Sequence, residues 1–296
     1  MVKRVITGVA VAVFWLLVLR FLPGWVLFVL LQLFAALTLY EFYKLCEKGG
    51  VTVSKALGIA GGLLWITAVF AFPLNCVNGL PNGFPHESLL LGLLGFALLA
   101  RLLFDPSAKD QLRNAAFTVL GFFYLPFMLS FYVRLAQWGA TAPFEVTRSG
   151  IFLAFYVSLV VKMCDAGAYA FGMAFGQHGR HRMFPRISPK KSWEGFIGGM
   201  VFAMLSSIGA IWAARYCHWV PGGPLSGVSL GAGALMGLAL GGIGVIGDLV
   251  ESLFKRSVDA KDSGGYLPGM GGFLDVFDSL VFAPALACFY LSWFHV

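Results

Sequence analysis

Apolar residues in this chain come in long runs separated by short polar stretches. A helix needs roughly 20 apolar residues to cross the hydrocarbon of a bilayer. Runs of that order fall near residues 5–20, 22–40, 57–73, 88–104, 116–136, 151–173, 196–214, 228–250 and 274–294. The pattern predicts an all-α, polytopic integral membrane protein with about nine transmembrane helices. The first run follows Lys3 and Arg4, as in a signal peptide. However, Phe21-Leu22-Pro23-Gly24 turns directly into the next run, with no small-x-small cleavage site between them, so an uncleaved helical hairpin is expected.

Composition agrees with this reading. The 296 residues are 59% hydrophobic and only 12% charged, where a soluble domain carries about 25% charge. Too little polar surface remains to cover a water-soluble globule, which excludes a disordered chain, a disulfide scaffold and a two-domain cytosolic enzyme. The 37 glycines and 29 phenylalanines fit a helical membrane protein better than a barrel. Five cysteines without a CxxC pair, two of them (Cys164 and Cys288) inside apolar runs, suit core filling rather than disulfides or metal.

The formal net charge of +7 reads as cationic loops facing anionic lipid, not as a nucleic-acid surface. With the N-terminus inside, 16 of the 21 Lys and Arg fall on cytoplasmic segments and four on the opposite side, with Lys162 inside a span. The positive-inside rule therefore predicts a cytoplasmic N-terminus and, for an odd number of spans, an external C-terminus.

Polar residues are distributed unevenly. Residues 1–150 read as a scaffold of lipid-facing helices without evident chemistry, the Asn75–Pro85 stretch being an outer connection. Residues 151–296 form the predicted catalytic region. Lys162 and Asp165 lie three apart in an apolar run, hence on one helical face, where charge is costly and marks a functional site or a buried pair. The following cytoplasmic loop carries Arg180, Arg182, Arg186, Lys190 and Lys191. Its stretch Ser188-Pro189-Lys190-Lys191-Ser192-Trp193-Glu194-Gly195 combines ammonium charges, hydroxyls and an indole, which suit phosphate oxygens and a base or lipid.

Six of the 14 acidic residues fall between 248 and 278. Asp248 and Glu251 share one helix face, as do Asp275 and Asp278, and both pairs lie where a span meets the cytoplasm. Two such carboxylate pairs beside Lys and Arg form a hard oxygen site for Mg²⁺ holding a polyphosphate. The Gly242-Ile-Gly244-Val-Ile-Gly247 stretch fits GxGxxG, but it lies inside a span with no preceding strand, so a dinucleotide site is not expected. Gly233, Gly237 and Gly241, spaced four apart, suit close helix packing in lipid. The chain has no GxxxxGK[ST], HExxH or GxSxG motif.

Three motif groups now stand together in order. They are Asp165-x-Gly167-Ala168-Tyr169 with Ser188 to Gly195; Gly247-Asp248-Leu249-x-Glu251-Ser252-x-x-Lys255-Arg256-x4-Lys261-Asp262; and Pro268-x-x-Gly271-Gly272-x-x-Asp275-x-x-Asp278-Ser279. Over roughly residues 150–296 this pattern closely resembles the phosphatidate cytidylyltransferases, or CDP-diacylglycerol synthases. Two positions depart from it: Met270 stands where the family commonly has His, and Val276 where it commonly has Arg.

The resemblance implies transfer of CMP from CTP to phosphatidate, giving CDP-diacylglycerol and pyrophosphate, with Mg²⁺ and a second cation such as K⁺. It implies Asp248 and Asp275 as metal ligands, with Asp278 as a further ligand or partner. Lys190, Lys191, Lys255, Arg256 and Lys261 would then clamp phosphates, with Ser188, Trp193, Asp262 and Asp165 lining the substrate site. The expected setting is the plasma or inner membrane, with the site facing the cytoplasm and a homodimer possible. A CTP-dependent polyprenol or phytol kinase is the competing enzyme reading. A CDP-alcohol phosphotransferase lacks its D-G-x-x-A-R pattern here. A cation-coupled transporter would place its broken helices in two matching halves, whereas the acidic clusters sit in one.

Overall fold

The computed structural model describes residues 23–72, 76–77, 80–81, 84–104, 110–142, 144–176, 181–217, 223–266 and 271–293. The run near 5–20 lies outside them. Helices dominate, and six are long and apolar enough to cross a membrane: Gly24–Lys48, Gln111–Ala136, Arg148–Phe175, Trp193–Tyr216, Leu230–Ser257 and Phe273–Trp293. The predicted runs near 57–73 and 88–104 are also helices, at Lys55–Ala71 and Phe84–Phe104, the former only 17 residues long. The all-α polytopic class therefore holds, with six candidate spans among the described residues and the first of the nine expected runs outside them.

The chain forms two compact units, residues 1–147 with 257–276, and 148–256 with 277–296. In the first unit, α1 (Gly24–Lys48) follows Pro23 and stops at Gly49–Gly50, where Gly50 takes a φ of 75°. Its packed face steps by three and four through Leu27, Leu31, Ala35, Thr38, Phe42 and Leu45. Helix α2 (Lys55–Ala71) meets it through glycines that let large groups approach. Gly58 and, on α4 (Gln111–Phe122), Gly121 both lie against the ring of Tyr43, whose hydroxyl donates to the Thr118 carbonyl at 2.9 Å.

Between α4 and α5 (Met128–Ala136) the backbone makes a π turn, Phe123–Phe127, around Pro126. A proline inside a helix cannot donate to the ladder and displaces the preceding turn, and the wider coil absorbs it. Pro126 then packs on Gly62, while Trp65 stacks on Phe127 at 5.4 Å and donates to Ser130 Oγ at 3.1 Å. Glu87 of α3 (Phe84–Phe104) and Arg134 of α5 form a buried ion pair at 2.5 Å. Short strands β1 (Cys76–Val77) and β2 (Leu80–Pro81) pair antiparallel between α2 and α3.

The second unit is built on α6 (Arg148–Phe175), α7 (Trp193–Tyr216) and α8 (Leu230–Ser257), with α10 (Ala283–Trp293) against α6. Lipid supplies no hydrophobic drive between helices, so close backbone approach through small residues holds them. Gly198 faces Phe171, Gly167 faces Phe202, and Gly199 lies on Cys164. On α8 the four-spaced glycines do the same: Gly233 meets Ile211, Gly237 meets Ser207 and Gly241 meets Ala203. A hydroxyl chain ties the three helices, with Tyr156 and Ser207 2.6 Å apart and Ser207 donating to the Gly233 carbonyl at 2.6 Å. Cys46, Cys164, Cys217 and Cys288 are free thiols.

Candidate cation and phosphate site

The site grows from a glycine. A Cβ on Gly247 of α8 would run into the Asp278 carbonyl, and one on Gly244 would press on Val161 and the Ser279 carbonyl. With only hydrogens there, the turn Asp278–Leu280 lies directly on α8. Asp278 thereby comes beside Asp248, the residue after Gly247, and Glu251, one turn further on.

Ligand-type oxygens of Asp248, Glu251 and Asp278 all lie within 4.8 Å of one another. Glu251 is fully buried and Asp278 nearly so, while the Asp248 side chain is 35% exposed, so the cluster opens on the Asp248 side. Three carboxylates this close repel strongly: a pair of unit charges 4.8 Å apart costs about 3.5 kcal/mol at an effective dielectric constant of 20. Cations offset part of it. Lys191 Nζ stands 3.0 Å from Asp248 Oδ2 and donates to the Val245 carbonyl at 3.2 Å. Lys255, one turn along α8, pairs with Glu251. Such an all-oxygen, anionic donor set fits a hard divalent cation.

A second network adjoins the cluster through Ser279. Lys162 Nζ donates to Ser279 Oγ at 2.9 Å and to Asp165 Oδ2 at 3.3 Å, and Ser279 Oγ donates to Asp165 Oδ2 at 2.9 Å. The two charges that the sequence places inside a span are thus an ion pair at the border of the acidic cluster.

The cationic loop is a hairpin. Strand β3 (Arg182–Phe184) pairs antiparallel with β4 (Ser188–Ser192), joining Arg182 to Ser192 and Phe184 to Ser188 with an irregularity between them. Neighbouring side chains on a strand point to opposite faces. Lys191 therefore turns toward Asp248 while Lys190 is exposed. Ser192 then caps α7, accepting from the Gly195 amide at 3.2 Å. Trp193, half exposed, meets Phe196 edge-on, Ser188 is half-buried, and Arg256 reaches toward the Ile187 carbonyl at 3.4 Å.

Other expected site residues sit in the first unit. Lys261 and Asp262 are exposed there. Asp275, at the short helix α9 (Phe273–Phe277), turns Oδ2 onto the Ser263 amide (2.9 Å), the Ser263 hydroxyl (2.8 Å) and the Gly272 amide (2.7 Å). The third carboxylate beside Asp248 and Asp278 is Glu251, whose i,i+3 spacing from Asp248 is the signal for it. Met270 lies outside the described residues, and Val276 is half-buried.

Residues 2–294 match the model of the Cytidylyltransferase family. The chain belongs to that family. Among relatives of this cytidylyltransferase-family chain, a phosphatidate cytidylyltransferase of Bacillus subtilis is 29% identical over 297 residues, covering 99% of this chain and 98% of its own. One of Haemophilus influenzae is 34% identical over 199 residues, covering 66% and 65%. One of Staphylococcus aureus is 39% identical over 145 residues, covering 48% and 50%.

Proposed function

We propose that this chain is a phosphatidate cytidylyltransferase, which transfers CMP from CTP to phosphatidate and releases pyrophosphate. The observation that carries the reading is the Asp248–Glu251–Asp278 cluster beside Lys191, in a chain of a cytidylyltransferase family. A phosphate oxygen of the lipid attacks the α-phosphorus of CTP, the bond to the bridging oxygen breaks, and pyrophosphate leaves. A phosphate monoester is already anionic near neutral pH, its second pKa being about 6. The nucleophile therefore needs no strong base, and rate comes from positioning and charge neutralisation.

The donor set fits a divalent cation such as Mg²⁺, held by Asp248 and Asp278 with Glu251 beside them. Bound there, the cation would neutralise polyphosphate charge. Lys191, fixed by Asp248 and the Val245 carbonyl, presents an ammonium next to that charge. Lys255 neutralises the buried Glu251 carboxylate. Lys190, Arg256, Ser188 and Trp193 contribute phosphate and base contacts, and Asp165 keeps Lys162 and Ser279 in register. Asp275, expected as a cation ligand, fastens the Ser263–Gly272 backbone through Oδ2. Lys261 and Asp262 are assigned to substrate by the motif they share with the family, and K⁺ is a candidate second cation.

The excess of Lys and Arg on the expected inner segments supports a plasma or inner membrane setting with the site facing the cytoplasm, where CTP is available. A homodimer is consistent with the family. The test is pyrophosphate release from CTP by the purified protein, with and without phosphatidate and Mg²⁺. Release that requires both is expected. CDP formed with an added isoprenoid alcohol, and no pyrophosphate, would replace this reading by a kinase.

A further inference from the structure

Glu41 is a carboxylate in the apolar α1 and only 1% exposed. It lies on the packed face of the helix, three residues from Thr38 and four from Leu45, both buried. A charge there is expensive unless hydrogen-bonded. Its donors come from more than 200 residues away in sequence: the Phe273 amide to Oε1 at 3.0 Å and the Leu274 amide to Oε2 at 2.8 Å, with the Ser263 hydroxyl, shared with Asp275, 3.1 Å from Oε2. Gly264 and Gly272 pass so near that a Cβ on either would run into the carboxylate. Phe34, two turns earlier on α1, meets the Phe273 ring at 6.3 Å.

The segment held in this way leads straight to Asp275. Ser263 Oγ stands between the two carboxylates, 3.1 Å from Glu41 and 2.8 Å from Asp275. The amides that Glu41 accepts belong to the two residues immediately before Asp275, and Asp275 in turn accepts the Gly272 amide. The path of the Gly271–Asp275 backbone and the direction of the Asp275 carboxylate thus depend on one side chain of α1.

We propose that Glu41 is a positioning residue for the Gly271–Asp275 segment in nucleotidyl transfer, an inference that rests on the cytidylyltransferase reading. A scaffold carboxylate without this duty would leave turnover per folded molecule unchanged. One that sets the segment controls kcat, because the segment runs directly into Asp278 of the acidic cluster three residues on, and misplacement of about 1 Å at a reacting site costs up to roughly 100-fold in rate.

The test uses the full chain in detergent with phosphatidate, CTP and Mg²⁺, comparing wild type with Glu41→Ala and Glu41→Gln. Two quantities are read: hydrogen exchange at the Phe273 and Leu274 amides without substrates, and kcat and KM per folded molecule. Glu41→Ala is expected to speed exchange at those amides and to lower kcat roughly 10- to 100-fold with little change in KM. Glu41→Gln, which keeps the volume and one carbonyl acceptor, falls between. Faster exchange with wild-type kcat, or activity lost only in proportion to the folded fraction, overturns the proposal. If Glu41→Ala does not fold, Glu41→Gln decides by the same two readings. If the wild type transfers no CMP, the reaction reading fails. Exchange then still reports whether Glu41 holds the segment, and an unchanged profile removes that hold as well.

Discussion

Replacing Asp248 by Asn tests the acidic cluster without disturbing its shape. Two effects oppose each other in the cation-free protein. The variant loses the contact of Asp248 with Lys191 at 3.0 Å, and it sheds repulsion from Glu251 and Asp278 within 4.8 Å. The Lys191 and Asp248 side chains are 21% and 35% exposed, so solvent screens the attraction to about 1 kcal/mol or less. The repulsion shed, about 3.5 kcal/mol for each carboxylate pair, is the larger of the two, so the midpoint of thermal unfolding without divalent cation should rise in the variant. With Mg²⁺ at about 100 times its dissociation constant, binding to the folded state stabilises the wild type by about 2.7 kcal/mol. Loss of one ligand carboxylate costs at least the 10- to 100-fold in affinity that follows loss of a group supporting a ligand. At 100-fold weaker binding the same Mg²⁺ concentration contributes only about 0.4 kcal/mol. The assay is thermal unfolding in detergent, with Mg²⁺ against EDTA, on both proteins. A Mg²⁺-dependent rise that survives intact in Asp248→Asn would refute the assignment, as would no rise in the wild type at millimolar Mg²⁺.

Other substitutions probe the supports of the site. Gly247→Ala places a methyl against the Asp278 carbonyl. It should cost about 1–3 kcal/mol as an overpacked contact and lower pyrophosphate release in the folded fraction; a variant with normal turnover would show that this approach does not set the cluster. Lys255→Met leaves the buried Glu251 without its ammonium and should destabilise by about 3–5 kcal/mol. Adding Glu251→Gln should recover much of that loss, which chemical denaturation of the single and double variants measures. Outside the spans, the Glu145 carboxylate is held below its usual range by the Thr141 and Ala142 amides. A lowered folded value gives stability that is complete above the unfolded pKa and lost as pH falls through the folded one. Amide protection at 141–142 should therefore fade in acid below about pH 4, and Glu145→Gln should show no such pH dependence.

Much of this organisation was legible in the sequence because membrane solvation constrains it so strongly. Long apolar runs have few structural solutions in lipid, and those with a described structure are helical. The four-spaced glycines of α8 announced close packing for the same reason, and α7 fills it. The i,i+3 pairing of Asp248 with Glu251 followed from helical geometry alone. What escaped was tertiary or depended on local backbone form. Lys190 and Lys191 read as a pair, yet a strand sends neighbours to opposite faces, and only the hairpin register shows which one meets Asp248. Glu41 directly follows an apolar run, and no local pattern singles it out. Its partners are 222 to 233 residues away, beyond the reach of any local pattern. The π turn was hidden too, since Pro126 signals a break but not the wider coil that accommodates it.

The route of the chain through its two units has a consequence for how the protein is made. The first unit is left at Thr147 and regains residues 257–276 only after most of the second has been produced, and the second closes with residues 277–296. Glu41 consequently enters the bilayer without the amides of Phe273 and Leu274, 232 and 233 residues downstream. At about 5–20 residues per second of synthesis, it waits on the order of 10–45 s. During that interval the carboxylate must stay at the interface, carry a proton or be shielded by another protein. A ribosome that stops short of residue 273 leaves the nascent chain with an unanswered acid in its membrane helix, a ready mark for quality control to read.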